Sequence, residues 1–217
     1  MADLPFDLPN AVLAGRLLRS LDVEGKVPRA IEALGPVGGR EVILLGGGIA
    51  RAAQLEALGA TVRVSVDGAG EAGSGGLGTG GLGTGGSIDG EDASADAVVS
   101  LWSGFRTASM TELAEADRVL RHGGRLLVVH DYGRDDVSTL RGDLPEYGKW
   151  SRRDGWFLTN GFKIRVVHCF WTFETLDEAG AFLEEAFGAD GLALAATMKR
   201  PRLSYNVAIY HRTKGGT

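Results

Sequence analysis

The chain has 217 residues, a formal net charge of −5 and 44% hydrophobic residues, which are ordinary values for one globular domain. This acidic balance argues against nucleic acid or a membrane surface as a partner. No apolar run approaches the roughly 20 residues of a membrane span, and the acidic N-terminus lacks the apolar core of a signal peptide. The single cysteine, Cys169, excludes an internal disulfide, and no Cys/His metal spacing is present. We expect one cytoplasmic domain without a metal.

The first 39 residues predict two helices. Residues 10–19 carry apolar side chains at helical spacing, and a second helix is predicted over residues 27–34, ending near Gly35 and Pro36. We expect both helices to pack on the edge of a sheet formed by the residues that follow.

Residues 41–67 have the pattern strand, glycine turn, helix, strand. Residues 42–45 are an apolar run of strand formers, residues 50–58 have helical composition, and residues 61–66 lead to Asp67. A parallel unit of this kind brings backbone N–H groups and the positive end of the helix to one point. An acid after the second strand can accept hydrogen bonds from ribose hydroxyls. The pattern predicts a nucleotide-like cofactor site, and the alternative is a tight turn in an ordinary sheet.

The glycine turn does not match the common nucleotide motifs. Read from Gly46, the third glycine of a dinucleotide fingerprint is replaced by Arg51, and no lysine is present for a phosphate loop. What remains is Gly-x-Gly followed by Ile49 and Ala50.

Residues 68–90 contain twelve glycines and a repeated Gly-Gly-Leu-Gly-Thr block. This composition cannot bury enough apolar surface to offset its chain entropy, so we expect a flexible surface loop. Residues 87–89 are a candidate remnant of a further strand. Asp89, with Asp92 as the alternative, either accepts a hydrogen bond from the base of a nucleotide-like cofactor or is a solvated acid.

Residues 96–102 and 125–130 predict two further buried strands. Between them, Ser109 and Glu112 have the spacing of a capping box for a helix that runs to about Arg121 and stops at a double glycine. Asp96 begins its strand, so we expect a structural role for this residue.

The segments DAVVSLW and ELAEADRVLRHGGRLLVV resemble, in order and spacing, the corresponding segments of class I S-adenosylmethionine-dependent methyltransferases. The Gly-x-Gly turn also resembles the first motif of that family. Three residues depart from the family pattern. Leu44 replaces an acidic residue that the family usually carries, Ala50 replaces the third glycine, and Ala95 replaces a residue that is usually aromatic. The resemblance covers residues 40–131. It implies a Rossmann-like α/β sandwich that is mostly parallel and ends in an antiparallel hairpin, with S-adenosylmethionine as the cofactor.

In open α/β sheets, ligands bind beyond the carboxyl ends of the strands. Combined with the resemblance, this rule gives the expected site. The cofactor-binding set is Gly46, Gly47, Gly48, Asp67, Asp89, Ser100, Leu101 and Trp102. We expect the substrate to contact Arg106 and Tyr132, and His130 or Asp131 to act in catalysis. Neighbouring residues of a strand point to opposite faces, so His130 and Asp131 can both face one cleft only if the strand has ended before them.

Residues 133–173 form a long connection rich in aromatic and basic residues, which is a candidate substrate lid. Residues 162–171 predict a strand within it, and Cys169 is expected in the core. Thr175 opens a helix, with Glu178 completing a capping box. Residues 191–197 and 203–210 are expected to pair as the final hairpin.

The leading functional hypothesis is methyl transfer from S-adenosylmethionine to a small-molecule acceptor, in a single domain spanning residues 1–217. The alternative is a non-catalytic relative that has lost the cofactor, favoured by Leu44, Ala50 and the glycine-rich loop. A nicotinamide oxidoreductase is a third possibility, which Arg51 and the expected terminal hairpin disfavour. The sequence indicates neither the acceptor nor the oligomeric state.

Overall fold

The computed structural model describes residues 11–45, 48–65, 87–106, 109–142, 144 and 147–215. The helices are α1 (Ala11–Ser20), α2 (Lys26–Leu34), α3 (Gly48–Glu56), α4 (Met110–Val119), α5 (Asp136–Arg141), α6 (Trp156–Thr159) and α7 (Leu176–Ala195). The strands are β1 (Glu41–Leu45), β2 (Thr61–Ser65), β3 (Ala95–Leu101), β4 (Leu120–Asp131), β5 (Lys163–Thr172) and β6 (Arg202–Thr213). Within these ranges no helix combines the length and the apolar character needed to cross a membrane.

The strands form one sheet in the order β2-β1-β3-β4-β6-β5. The first four in this order run parallel, whereas β6 is antiparallel to both β4 and β5. Parallel neighbours need crossover connections, which α3 and α4 supply on opposite faces of the sheet. The predicted mostly parallel sheet with antiparallel C-terminal strands is confirmed. The antiparallel last strand also argues against the oxidoreductase hypothesis.

Two cores follow from the alternation of side chains along the strands. On one face, Val42 and Leu44 pack with residues of α1, α2, α3, α5 and α7. On the other, Ile43 and Leu45 pack with α4 and with Phe157 of α6. Strands covered on both sides must be apolar at nearly every position, which explains the continuous hydrophobic runs of β1, β3 and β4. Leu44 is fully buried, so it acts as a core residue.

Asp96 has the structural role expected from its place at the start of β3. Its carboxylate accepts a hydrogen bond from the Glu41 backbone N–H at 3.0 Å and pairs with Arg121 at 2.9 Å. It therefore joins the first residue of β1 to β3 and β4 at the edge where the parallel strands begin.

Both predicted helix caps exist, although neither is a full capping box. The Ser109 hydroxyl accepts from the N–H groups of Thr111 and Glu112, and the Thr175 hydroxyl accepts from that of Glu178. The two glutamate side chains have other backbone partners. Glu112 accepts instead from the Phe105 N–H, and Glu178 from the Glu174 N–H.

The predicted partner strand in the terminal hairpin was wrong. Residues 191–195 belong to α7, which bends at Gly188 (φ 60°), and the strand that pairs with β6 is β5. Alanine and leucine alternate in this segment, but both are strong helix formers, and the helical preference prevails once the segment packs on the sheet. Residues 87–90 are also irregular and form no strand. The core of the glycine-rich loop, residues 68–86, lies outside the described residues.

Candidate functional site

The carboxyl ends of β1, β3 and β4 lie side by side, because Leu45 pairs with Ser100 and Ser100 with Val128. The chain leaving β3 forms a short loop over this edge, residues 102–106, which we call the β3 loop. Its residues Trp102 to Phe105 are all buried. The loop therefore forms the floor of any cleft above the three strands.

The backbone of the β3 loop is strained. Trp102 and Phe105 adopt left-handed conformations, with φ of 55° and 64°. Each such residue costs about 1–3 kcal/mol and persists only where its surroundings enforce it. Here the Ser103 hydroxyl donates to the Leu45 carbonyl at 2.6 Å, and the Gly104 N–H donates to the Ser100 hydroxyl at 2.9 Å. These bonds fix the loop to the ends of β1 and β3.

Asp131 is buried at the last position of β4 and accepts hydrogen bonds from three side chains. The Trp102 indole N–H donates at 3.0 Å, and the Tyr205 hydroxyl and the Arg141 guanidinium donate as well. Burial, followed by the Asp131 charge, raises the pKa of Tyr205 well above its usual value. Asp131 thus ties the β3 loop to β6 and α5.

His130 is equally buried but stands in an apolar setting. Its Nε2 lies 2.9 Å from the Gly104 carbonyl oxygen, and its ring lies 4.8 Å from the Trp150 ring in an edge-on arrangement. Because a carbonyl only accepts, Nε2 carries the hydrogen and Nδ1 keeps a free lone pair. Nδ1 has no hydrogen-bond partner in the described part of the chain. Burial, with a smaller effect from the Arg106 charge, lowers the pKa of His130 to about 3, so the ring is neutral.

His130 and Asp131 do not share one side of the sheet. Strand β4 continues through Asp131, so the two neighbouring side chains point to opposite faces. His130 lies against the aromatic residues of the α6 side. Asp131 lies with Trp102 and Tyr205, which belong to the core of the other face. Their catalytic roles stay predictions.

Arg51 occupies the first turn of α3, directly after the glycine turn. Its side chain is 3% exposed, bonds to the Gln54 side chain at 3.0 Å, and places its guanidinium 5.2 Å from the Trp102 ring centroid. A cation at a helix N-terminus is electrostatically unfavourable. In the sequence Arg51 was visible only as a mismatch to a glycine motif, and nothing there indicated its contact with Trp102.

The remaining predicted site residues are placed around this edge. Arg106 donates from Nε and Nη2 to the Trp102 carbonyl at 3.1 and 2.8 Å. Tyr132 is half-buried, with the Arg134 guanidinium 5.8 Å from its ring. The Asp89 side chain is exposed, and its N–H donates to Ser65 at the end of β2. Asp92, the alternative to Asp89, pairs with Arg118.

The glycine turn is described only in part. Gly48 begins α3, whereas Gly46, Gly47 and Asp67 lie outside the described residues. Ser100 and Leu101 are buried at the end of β3. Sequence reasoning missed Arg141 and Tyr205, because nothing in the local pattern links residues so distant along the chain. Among the described residues no group of His, Cys, Asp or Glu side chains could hold a metal ion.

No protein-family model matches the chain, and no curated protein sequence matches it either. Solved structures do match. One is an inferred methyltransferase from an antibiotic biosynthesis pathway of Anabaena variabilis, with a TM-score of 0.54 and 12% identity over 89% of this chain and 98% of that one. Another is an inferred type II methyltransferase from Anaeromyxobacter dehalogenans. Its TM-score is 0.52 and its identity 16%, over 88% of this chain and 96% of that one.

The chain has the class I methyltransferase fold. The methyltransferase fold accounts for the antiparallel β6 between β4 and β5. It also accounts for the convergence of the end of β1, the β3 loop and the end of β4 at one edge.

Proposed function

We propose that the protein transfers a methyl group from S-adenosylmethionine to a small-molecule acceptor. The observation that carries the proposal is the fold, which is shared over almost the whole chain with proteins described as methyltransferases. The strained β3 loop adds support, because strained backbone enforced by its surroundings is concentrated at functional sites.

The residues around the glycine turn fit the cofactor in part. Backbone N–H groups in the first turn of α3 suit its carboxylate, and the exposed carboxylate of Asp89, beside the end of β2, suits its adenine amino group. Asp67 is the expected partner for the ribose hydroxyls. S-adenosylmethionine, when bound, supplies a methyl group on a positively charged sulfur.

The proposed task of His130 is to position the acceptor. Its Nδ1 offers a lone pair that meets no donor within the described chain, so a hydroxyl or amine hydrogen of the acceptor can fill this place. The pKa of about 3 keeps the ring neutral at ordinary pH, which suits an orienting hydrogen-bond acceptor better than a strong base. Correct orientation alone supplies a large part of the rate enhancement in a displacement reaction.

A non-catalytic binding protein is the second candidate, because two observations at the cofactor edge favour it. Leu44 is fully buried where the family usually carries an acid. Arg51 places a buried positive charge on Trp102, beside the turn where a positively charged sulfur would have to bind. Like charges at close range disfavour each other strongly when water is excluded.

Calorimetric titration separates the two candidates. S-adenosylmethionine and S-adenosylhomocysteine should bind with micromolar affinity, whereas NADH should not bind. Asp67→Ala and Asp89→Asn should each weaken binding about tenfold, the size expected for losing a hydrogen bond to a charged group. Failure of both ligands to bind would overturn the enzyme proposal. If Arg51→Ala binds S-adenosylmethionine and the wild-type protein does not, the Arg51 side chain is the obstruction, and the non-catalytic candidate is favoured.

A substitution at His130 tests the positioning role once an acceptor is found. His130→Gln keeps a donor for the Gly104 carbonyl but removes the free imidazole nitrogen. It should lower kcat by about 100-fold while leaving the affinity for S-adenosylmethionine unchanged. His122→Gln, at an exposed histidine, is the matched control. An unchanged kcat in His130→Gln would remove His130 from the proposal.

A further inference from the structure

A pocket lies at the opposite edge of the sheet, where the parallel strands begin. Its volume is about 480 Å³, within the range of small-molecule sites. Side chains of β4, β5 and β6 form its floor, and the last turn of α2 forms an apolar wall. We call it the amino-edge pocket; its polar lining is Arg125, Asn160, Lys163, His211, Arg212 and Thr213.

The strand register brings the basic side chains together. Arg125 of β4 pairs with Thr213 of β6, and Lys163 of β5 pairs with His211 of β6. Directly opposed residues project from the same face of a sheet, as do residues two apart on one strand. All four side chains therefore share one face. The Arg125 guanidinium donates to the Thr213 hydroxyl, which holds it over the pocket.

Two of these cations have no counter-charge among the described residues. Neither Arg125 nor Lys163 forms an ion pair with a carboxylate in the described ranges, whereas Arg212 is neutralised by Asp117 at 2.9 Å. The pKa of His211 is lowered, first by burial and then by the positive charges of Arg125 and Lys163. In the described part of the chain, three basic groups thus face one another with no acid between them.

Edge protection does not explain this arrangement. A lysine on an edge strand such as β5 commonly prevents sheet-to-sheet association. Arg125 and His211, however, lie on the interior strands β4 and β6 and are half-buried. The charges of the half-buried Arg125 and of Lys163 both act on the His211 imidazole, and an anion bound among the three groups would relieve this repulsion.

We propose that the amino-edge pocket binds a small phosphate ester. Arg125, Lys163 and His211 contact the phosphoryl group, with Asn160 as a further donor, because guanidinium and ammonium groups are the usual phosphate partners. The organic part of the ligand lies against Ala33 and Leu34 of α2. The pocket holds more than a phosphate ion, so an ester fits it better than free phosphate does. The site is separate from the cofactor edge and does not depend on methyl transfer.

Calorimetric titration of the full chain with ribose 5-phosphate tests the site, with ribose and inorganic phosphate as comparisons. Ribose 5-phosphate should bind, inorganic phosphate should bind more weakly, and ribose should not bind. Lys163→Met and Arg125→Met each keep the aliphatic stem and should weaken binding at least about tenfold. The matched control is Arg165→Met, which removes an exposed charge from the same strand outside the pocket and should change affinity less than about twofold.

Nuclear magnetic resonance of His211 gives an independent readout. The charged groups facing this imidazole are Arg125 from β4 and Lys163 from β5, and α2 contributes only apolar side chains. A bound phosphoryl group should raise the pKa of His211, and Lys163→Met should raise it without ligand. No binding of ribose 5-phosphate, equal binding of ribose, or equal weakening by Arg165→Met would each overturn the proposal.

Discussion

The last two residues of β4 occupy contrasting environments on the two faces of the sheet. Asp131 accepts hydrogen bonds from Trp102, Tyr205 and Arg141. His130, one residue earlier, has aromatic neighbours and a nitrogen without a partner in the described chain. Buried polar groups are normally satisfied, so the His130 nitrogen leaves a place for a hydrogen-bond donor such as a ligand or a water molecule. The difference assigns Asp131 to the framework of the site and His130 to its proposed chemistry.

Removing the charge of Asp131 should have the largest effect. Asp131→Asn removes the charge that pairs with the nearly buried Arg141 guanidinium, and breaking a buried pair in this way costs about 3–5 kcal/mol. Urea unfolding should report this loss. Asp154→Asn, at the exposed pair with Arg152, should change the free energy of unfolding by less than about 1 kcal/mol. Equal effects at the two sites would contradict the framework role.

His130 should make the protein sensitive to acid. An exposed histidine in the unfolded chain titrates near pH 6.5, whereas the pKa of His130 in the fold is about 3. Between these values the unfolded state binds more protons, so stability falls as the pH falls from about 6.5 towards 3. The glutamine in His130→Gln cannot titrate. Between pH 6 and 4, the free energy of unfolding of this variant should therefore fall by about 1 kcal/mol less per pH unit than that of wild type.

Urea midpoints measured at pH 6, 5 and 4 would reveal this difference. His122→Gln should retain the wild-type dependence, because it leaves the buried imidazole in place. Parallel pH profiles for wild type and His130→Gln would mean that His130 is hydrated in solution, contrary to its 1% exposure.

Tyr205→Phe should have an intermediate effect. It removes a hydrogen bond to a buried carboxylate and should lower the free energy of unfolding by about 2 kcal/mol near neutral pH. Because the folded pKa of Tyr205 is raised, its contribution is present below about pH 10 and is lost above it. The gap between wild type and variant should therefore shrink in alkaline urea titrations, and a constant gap would contradict the bond to Asp131.

The smallest expected effect is that of Ser103→Ala. The lost hydrogen bond to the Leu45 carbonyl should lower the free energy of unfolding by about 1 kcal/mol. It should also release the β3 loop, so amide hydrogen exchange at Gly104 and Phe105 should accelerate more than global stability predicts. Exchange that changes only in proportion to stability would show that the loop opens with the whole fold.

The sequence predicted the elements whose signal is local. Apolar runs located β1, β3 and β4, and strand ends located His130 and Asp131. The helix before β4 ends at Val119 and not at the predicted double glycine, which lies inside β4. The contacts that distinguish these two residues could not be predicted, since Tyr205 lies 74 residues from Asp131 along the chain. The error at residues 191–197 has the same origin, because alternating alanine and leucine suit either element until tertiary packing selects one.

The position of β6 has a consequence for synthesis on the ribosome. This strand is the last one of the described chain to emerge, yet it lies inside the sheet and pairs along its length with both β4 and β5. Until residues 202–213 are available, β4 has an unpaired edge and β5 has no strand to pair with, so nascent chains expose two aggregation-prone strands. Premature stop codons within residues 202–213 should therefore yield insoluble or degraded products, even though every residue of the proposed active site has already been made.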